Sequence, residues 1–104
     1  MSAIDLGLLS DYTSGEARQV RADGRTLVVV RIEESLYVLD DRCSHEDFSL
    51  AEGAVDTATC EIECARHGAM FSLRDGAAMS FPATKPVRHY EVTENNGRLE
   101  VQVP

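Results

Sequence analysis

Apolar and polar residues alternate in short runs along this chain and do not recur at helical spacing. Thr26 to Ile32 reads Thr-Leu-Val-Val-Val-Arg-Ile, a β-branched run. It follows Asp23-Gly24, a dipeptide that tolerates the positive φ angles of tight hairpin turns, so Glu16 to Arg21 is predicted to pair with it. Leu36 to Leu39 follows a second turn at Glu33-Glu34-Ser35. Thr59 to Cys64 places Thr59, Glu61 and Glu63 on one face and Cys60, Ile62 and Cys64 on the other, the period of a half-buried strand. Met70 to Leu73 ends near a turn at Asp75-Gly76, and Val87 to Thr93 connects to Leu99 to Val103 through Asn95-Asn96-Gly97. About eight short strands at this spacing predict an all-β, antiparallel sandwich or incomplete barrel. Helical character is confined to Leu6 to Asp11, enough for one turn.

Size and charge narrow the function classes. With 104 residues, 43% of them hydrophobic and 27% charged, the chain is expected to form a single domain over residues 1–104. Folding at this length buries roughly 65% of the unfolded surface, enough for a core without disulfides but leaving little interior for a large active site. The longest aliphatic run, Leu27 to Val30, is far short of the roughly 20 residues that span a bilayer, and no basic start precedes an apolar stretch at the amino terminus. The expectation is a soluble, cytoplasmic protein. Eighteen acidic against ten basic side chains give a net charge of −8, which argues against nucleic acid or anionic lipid and favours a basic protein partner. Three cysteines, an odd number, fit reduced thiols engaged with a metal or in catalysis better than a disulfide framework.

The chemistry lies between the strands. Cys43-Ser44-His45 follows the strand ending near Asp40, and Cys64-Ala65-Arg66-His67-Gly68 follows the strand ending near Glu63. Each strand end therefore delivers one thiolate and one imidazole. Two sulfurs and two nitrogens can hold a tetrahedral zinc, or a 2Fe-2S cluster with thiolates on one iron and imidazoles on the other. Structural zinc sites usually pair like ligands within a knuckle, whereas each loop here mixes them, which suits a cluster gripped by two similar fingers.

With those residues in view, the sequence resembles the Rieske iron-sulfur proteins, whose pattern is Cys-x-His, roughly 15 to 20 residues, then Cys-x2-His-Gly. Leu50-Ala51-Glu52-Gly53, Gly68, Phe71, the Arg74-Asp75-Gly76 turn and Phe81-Pro82-Ala83-Thr84-Lys85-Pro86-Val87, similar to the family's proline loop, extend the likeness from about Leu36 to Tyr90. Ala65 departs from it, standing where the family usually has proline. The resemblance implies a Rieske-type β-sandwich with a two-loop cluster-binding subdomain over approximately residues 41–86. It also implies one 2Fe-2S cluster per chain, with Cys43, His45, Cys64 and His67 as metal and cofactor ligands and no catalytic residue. Cys60 is expected to pack in the core and His89 to be an ordinary strand residue.

Membrane-anchored members of the family carry a bridging cysteine in each finger, where this chain has Phe48 and Arg66. They also carry a serine and a tyrosine that donate hydrogen bonds to the cluster sulfurs, where it has Ala69 and Phe71. Missing donors imply the lower part of the roughly −150 to +300 mV range of Rieske centres. The resemblance thus narrows to the soluble, low-potential Rieske-type ferredoxins, including those serving bacterial ring-hydroxylating dioxygenase systems. The expected role is a monomeric, non-catalytic one-electron carrier that docks transiently with a ferredoxin reductase and a terminal oxygenase. The alternatives are a Rieske-fold accessory or regulatory subunit, and a zinc-stabilised interaction module.

Overall fold

The computed structural model describes residues 2–42, 49–65, 68–80 and 85–103. Among them the chain forms ten strands in three antiparallel sheets, with no α-helix. The central sheet holds β2 (Ala17–Ala22), β3 (Arg25–Ile32), β4 (Ser35–Asp40) and β8 (His89–Tyr90), in that order. Its first hairpin turns where predicted, with Asp23 and Gly24 both at positive φ (54° and 72°), the backbone that a two-residue hairpin loop demands. The terminal sheet, β1 (Ser2–Leu8), β10 (Arg98–Val103) and β9 (Val92–Asn95), brings the two ends of the chain together. The third sheet is the smallest and joins β5 (Val55–Asp56), β6 (Glu61–Glu63) and β7 (Met70–Ser72).

The central sheet is covered on both faces, which explains its least alternating stretch. Leu27, Val28, Val29 and Val30 are all fully buried. Val28 and Val30 face a core with Leu39, Leu50, Ile62, Phe71, Leu73 and Val87, under the small sheet. Leu27 and Val29 face a second core with Ile4, Leu6, Tyr90, Leu99, Val101 and Val103, under the terminal sheet. A strand buried on both faces has no reason to alternate.

Three predicted elements differ in detail. The run Val87 to Thr93 is two strands: β8 pairs with β4 and β9 with β10, so the chain changes sheets at Glu91. Thr59 to Cys64 keeps its buried face, Cys60, Ile62 and Cys64, but only Glu61–Glu63 is strand, because Cys60 sits in the preceding turn at φ 58°. Leu6 to Asp11 divides between the end of β1 and a 3-10 turn at Leu9–Asp11. Two strands carried too little pattern to be predicted: β1, whose partner β10 is distant in sequence, and the two-residue β5.

Candidate metal centre

Cys64 is the one predicted ligand within the described residues. Cys43, His45 and His67 lie outside them, as do Phe48, Arg66 and most of the proline loop. Cys64 directly follows β6 and is fully buried. Its backbone is fastened on both sides: its N–H donates to the carbonyl of Ala69 (2.7 Å) and its carbonyl accepts from the N–H of Gly68 (2.8 Å). Both bonds continue the β6–β7 hairpin, whose register pairs Glu63 with Met70 and Ile62 with Phe71. Ala69 and Phe71, the two positions without side-chain donors, are both fully buried here.

The surroundings of Cys64 fit a cluster. It lies in the core built from Leu50, Ile62, Phe71, Leu73 and Val87, and an isolated thiolate would be heavily penalised in so dry a setting. Two thiolates sharing two ferric irons and two sulfides form a unit that is formally neutral when oxidised, so this apolar floor is compatible with bound thiolates. Among the described residues no three His, Cys, Asp or Glu side chains come together as a metal site.

Two glycines weld the loops to that floor. A Cβ on Gly53 would fall 1.6 Å from the carbonyl oxygen of Glu63, so only glycine lets the segment leaving the first loop lie against the strand entering the second. The next residue, Ala54, accepts from the N–H of Glu63 (2.9 Å). At Gly76 a Cβ would fall 2.0 Å from the carbonyl oxygen of Val87, and φ is +76°. Val87 in turn donates its N–H to Gly76 (2.9 Å), fixing the end of the segment identified as a proline loop. Met79 donates its N–H to Met70 (2.8 Å), and Met70 donates to Ser80 Oγ (3.0 Å), fixing its start. Both glycines stand in the sequence likeness, but pattern alone does not show what each approaches.

The sequence reading missed Asp41, two residues before Cys43. It is the only buried charged side chain among the described residues. Its Oδ2 accepts from Gln19 Nε2 (2.5 Å) and Ser49 Oγ (2.6 Å), and its Oδ1 from the N–H of Ala51 (2.7 Å). Nothing in the pair Asp40-Asp41 marks one carboxylate as buried. Cys60 is a buried thiol and His89 an exposed residue of β8, as expected.

Comparison with known proteins bears on this arrangement directly. The Rieske [2Fe-2S] domain family matches residues 2–91. The anthranilate 1,2-dioxygenase ferredoxin subunit of Burkholderia cepacia is 34% identical over 98 residues, covering 94% of this chain and 89% of its own. The ferredoxin of carbazole 1,9a-dioxygenase from Nocardioides aromaticivorans IC177 superposes with a TM-score of 0.92 at 30% identity, with 97% of each chain covered. A similar chain in a complex of reduced oxygenase and oxidized ferredoxin of carbazole 1,9a-dioxygenase gives a TM-score of 0.88 at 33% identity, covering 95% of this chain and 91% of that one.

Proposed function

The chain belongs to the Rieske 2Fe-2S family as a dioxygenase ferredoxin subunit, and we propose that it holds its cluster with Cys43, His45, Cys64 and His67 and receives electrons from a ferredoxin reductase for delivery to a terminal oxygenase. The observation that carries the ligand set is the placement of Cys64: a buried thiol at the end of β6, backbone-bonded to Gly68 and Ala69, with His67 three residues on in the sequence. Family membership replaces the zinc reading, since a Rieske domain holds a 2Fe-2S cluster. The bound cluster supplies reversible one-electron chemistry at two irons of unequal ligation.

The protein's own residues set the terms of that chemistry. Cys43 and Cys64 would hold one iron, and Leu50, Ile62, Phe71 and Leu73, packed in one core with Cys64, would keep water from that thiolate. His45 and His67 would hold the other iron. Ala69 and Phe71 offer no side-chain donor to the sulfurs, so the reduced, more negative state gains little stabilisation and the potential stays low for a Rieske centre. The working unit is one domain over residues 1–104 with its cluster-binding part at approximately 41–86. It acts as a monomer in the cytoplasm, where reduced thiols fit its odd cysteine count. No helix among the described residues is long and apolar enough to cross a membrane.

A carrier must dock and leave in each turnover, which favours an interface below about 1,200 Å² steered by charge. With a net charge of −8 before any cluster is counted, reduction by the reductase should slow as salt rises, because screening shortens the reach of exposed charges. Stopped-flow reduction followed by reoxidation with the terminal oxygenase tests both halves of the proposal. His67→Ala should lose or grossly alter the cluster and end turnover. A cluster that the reductase cannot reduce would overturn the carrier role and favour an accessory subunit.

A further inference from the structure

We propose that Asp41 is the positioning residue of the first ligand loop, its carboxylate fastening the residues that enter the loop to those that leave it. The inference rests on the ligand assignment above, in which that loop carries Cys43 and His45. A buried carboxylate is costly unless donors surround it, and apolar substitutes usually serve stability as well or better. Asp41 is satisfied by three donors, and two of them, Ser49 Oγ and the N–H of Ala51, lie on the far side of the loop. The third, Gln19 Nε2, comes from β2 and ties the junction to the central sheet. The N–H of Asp41 adds a bond to the carbonyl of Thr26 on β3 (3.1 Å).

The contrast with the second loop explains why a side chain is needed. There the flanking strands β6 and β7 pair with each other, and backbone bonds close the loop. The first loop leaves β4 and returns into a 3-10 turn at Leu50–Glu52, which pairs with no strand. Asp41 supplies the closure that a hairpin ladder gives its counterpart. Cys43 follows Asp41 by two residues in the sequence, so fastening position 41 fastens the chain on which that ligand is carried.

The three bonds require shape more than charge. In Asp41→Asn, Oδ1 still accepts from Ala51, and the new amide donates to Ser49 Oγ and to Gln19 once its side-chain amide turns over. In Asp41→Ala all three acceptors vanish. The test is the rate at which a chelator bleaches the anaerobically loaded protein, read at visible wavelengths, with Tm measured alongside. Loss should be at least about tenfold faster in Asp41→Ala, the scale on which supporting residues affect metal retention, and within about twofold of wild type in Asp41→Asn. Val101→Ala, a cavity in the core farther from the loops, should lower Tm while bleaching at the wild-type rate. Should Asp41→Ala fail to fold, Ser49→Ala, which removes one of the three bonds, should fall between wild type and the tenfold change. Wild-type bleaching in Asp41→Ala, or in Ser49→Ala where that variant stands in for it, overturns the proposal. So does Asp41→Asn bleaching far faster than wild type, or Val101→Ala bleaching as fast as Asp41→Ala. A wild-type chain that takes up no cluster overturns the ligand assignment instead.

Discussion

The two cores on either side of the central sheet are built by different means. Under the terminal sheet, long strands run in register: β1 and β10 pair from Ser2 with Val103 to Leu8 with Arg98, interrupted by one shift between Asp5 and Gly7. Under the small sheet, the strands are two or three residues long. Order there comes from single contacts, namely Asp41 across the first loop, Gly53 against Glu63 and Gly76 against Val87. One half is therefore a scaffold whose stability is spread over many equivalent bonds. The other is a cradle whose geometry hangs on a few, and this is what lets ligand loops be placed without the rest of the fold being specified around them.

The comparison breaks first at Gly53. Gly53→Ala forces backbone away from backbone, and we expect a cost of about 3 kcal/mol or more with loss of cluster binding. Iron content and thermal melts check this; a variant that loads normally would mean the cradle is more plastic than its contacts imply. In the scaffold, Val101→Ala should cost about 2 kcal/mol, lowering Tm by roughly 10 °C, with no change in the visible spectrum. Cys60→Ser puts a hydroxyl into the buried face behind β6 and should cost about 1–2 kcal/mol while keeping the cluster. Bleaching by Cys60→Ser would mean that the ligand loop begins earlier than Cys64.

The smallest effect is one of pH. Burial, then the bond to Asp40 (2.5 Å), raises the phenol pKa of Tyr90 above its ordinary value of 10.0, and burial does the same for Tyr12. The unfolded chain loses these protons near pH 10 while the folded one keeps them. Their contribution is therefore full below pH 10 and is lost as pH rises through the higher folded values. Tyr90→Phe should cost about 1 kcal/mol or somewhat more at neutral pH, through the lost bonds to Asp40 and from Arg25. It should also flatten, without abolishing, the decline of stability between about pH 9.5 and 11, as denaturant melts across that range would show.

How much of this was legible in the sequence follows the same division. Asp23-Gly24 and the β-branched run after it announce the central hairpin, and two Cys-His pairs announce the chemistry, because both signals are local. What was not legible depends on approach across the fold. β1 has few turn signals and finds its partner at the other end of the chain. The sheet change at Glu91 leaves the alternation through Tyr90 and Val92 unbroken. Burial of Asp41 but not Arg42 is decided by Gln19, Ser49 and Ala51 together.

Native-state hydrogen exchange on the loaded protein and on the same protein stripped by chelator tests the division between scaffold and cradle most directly. Stripping should leave the amides of β3 and β10 protected, since their ladders involve no ligand loop. It should speed exchange at Cys64 and Gly68, whose N–H groups close the second loop, and at Met70, whose N–H holds Ser80 at the start of the proline loop. Protection lost together from both cores would contradict the account, making the cluster a keystone of the whole fold and not the cargo of one half.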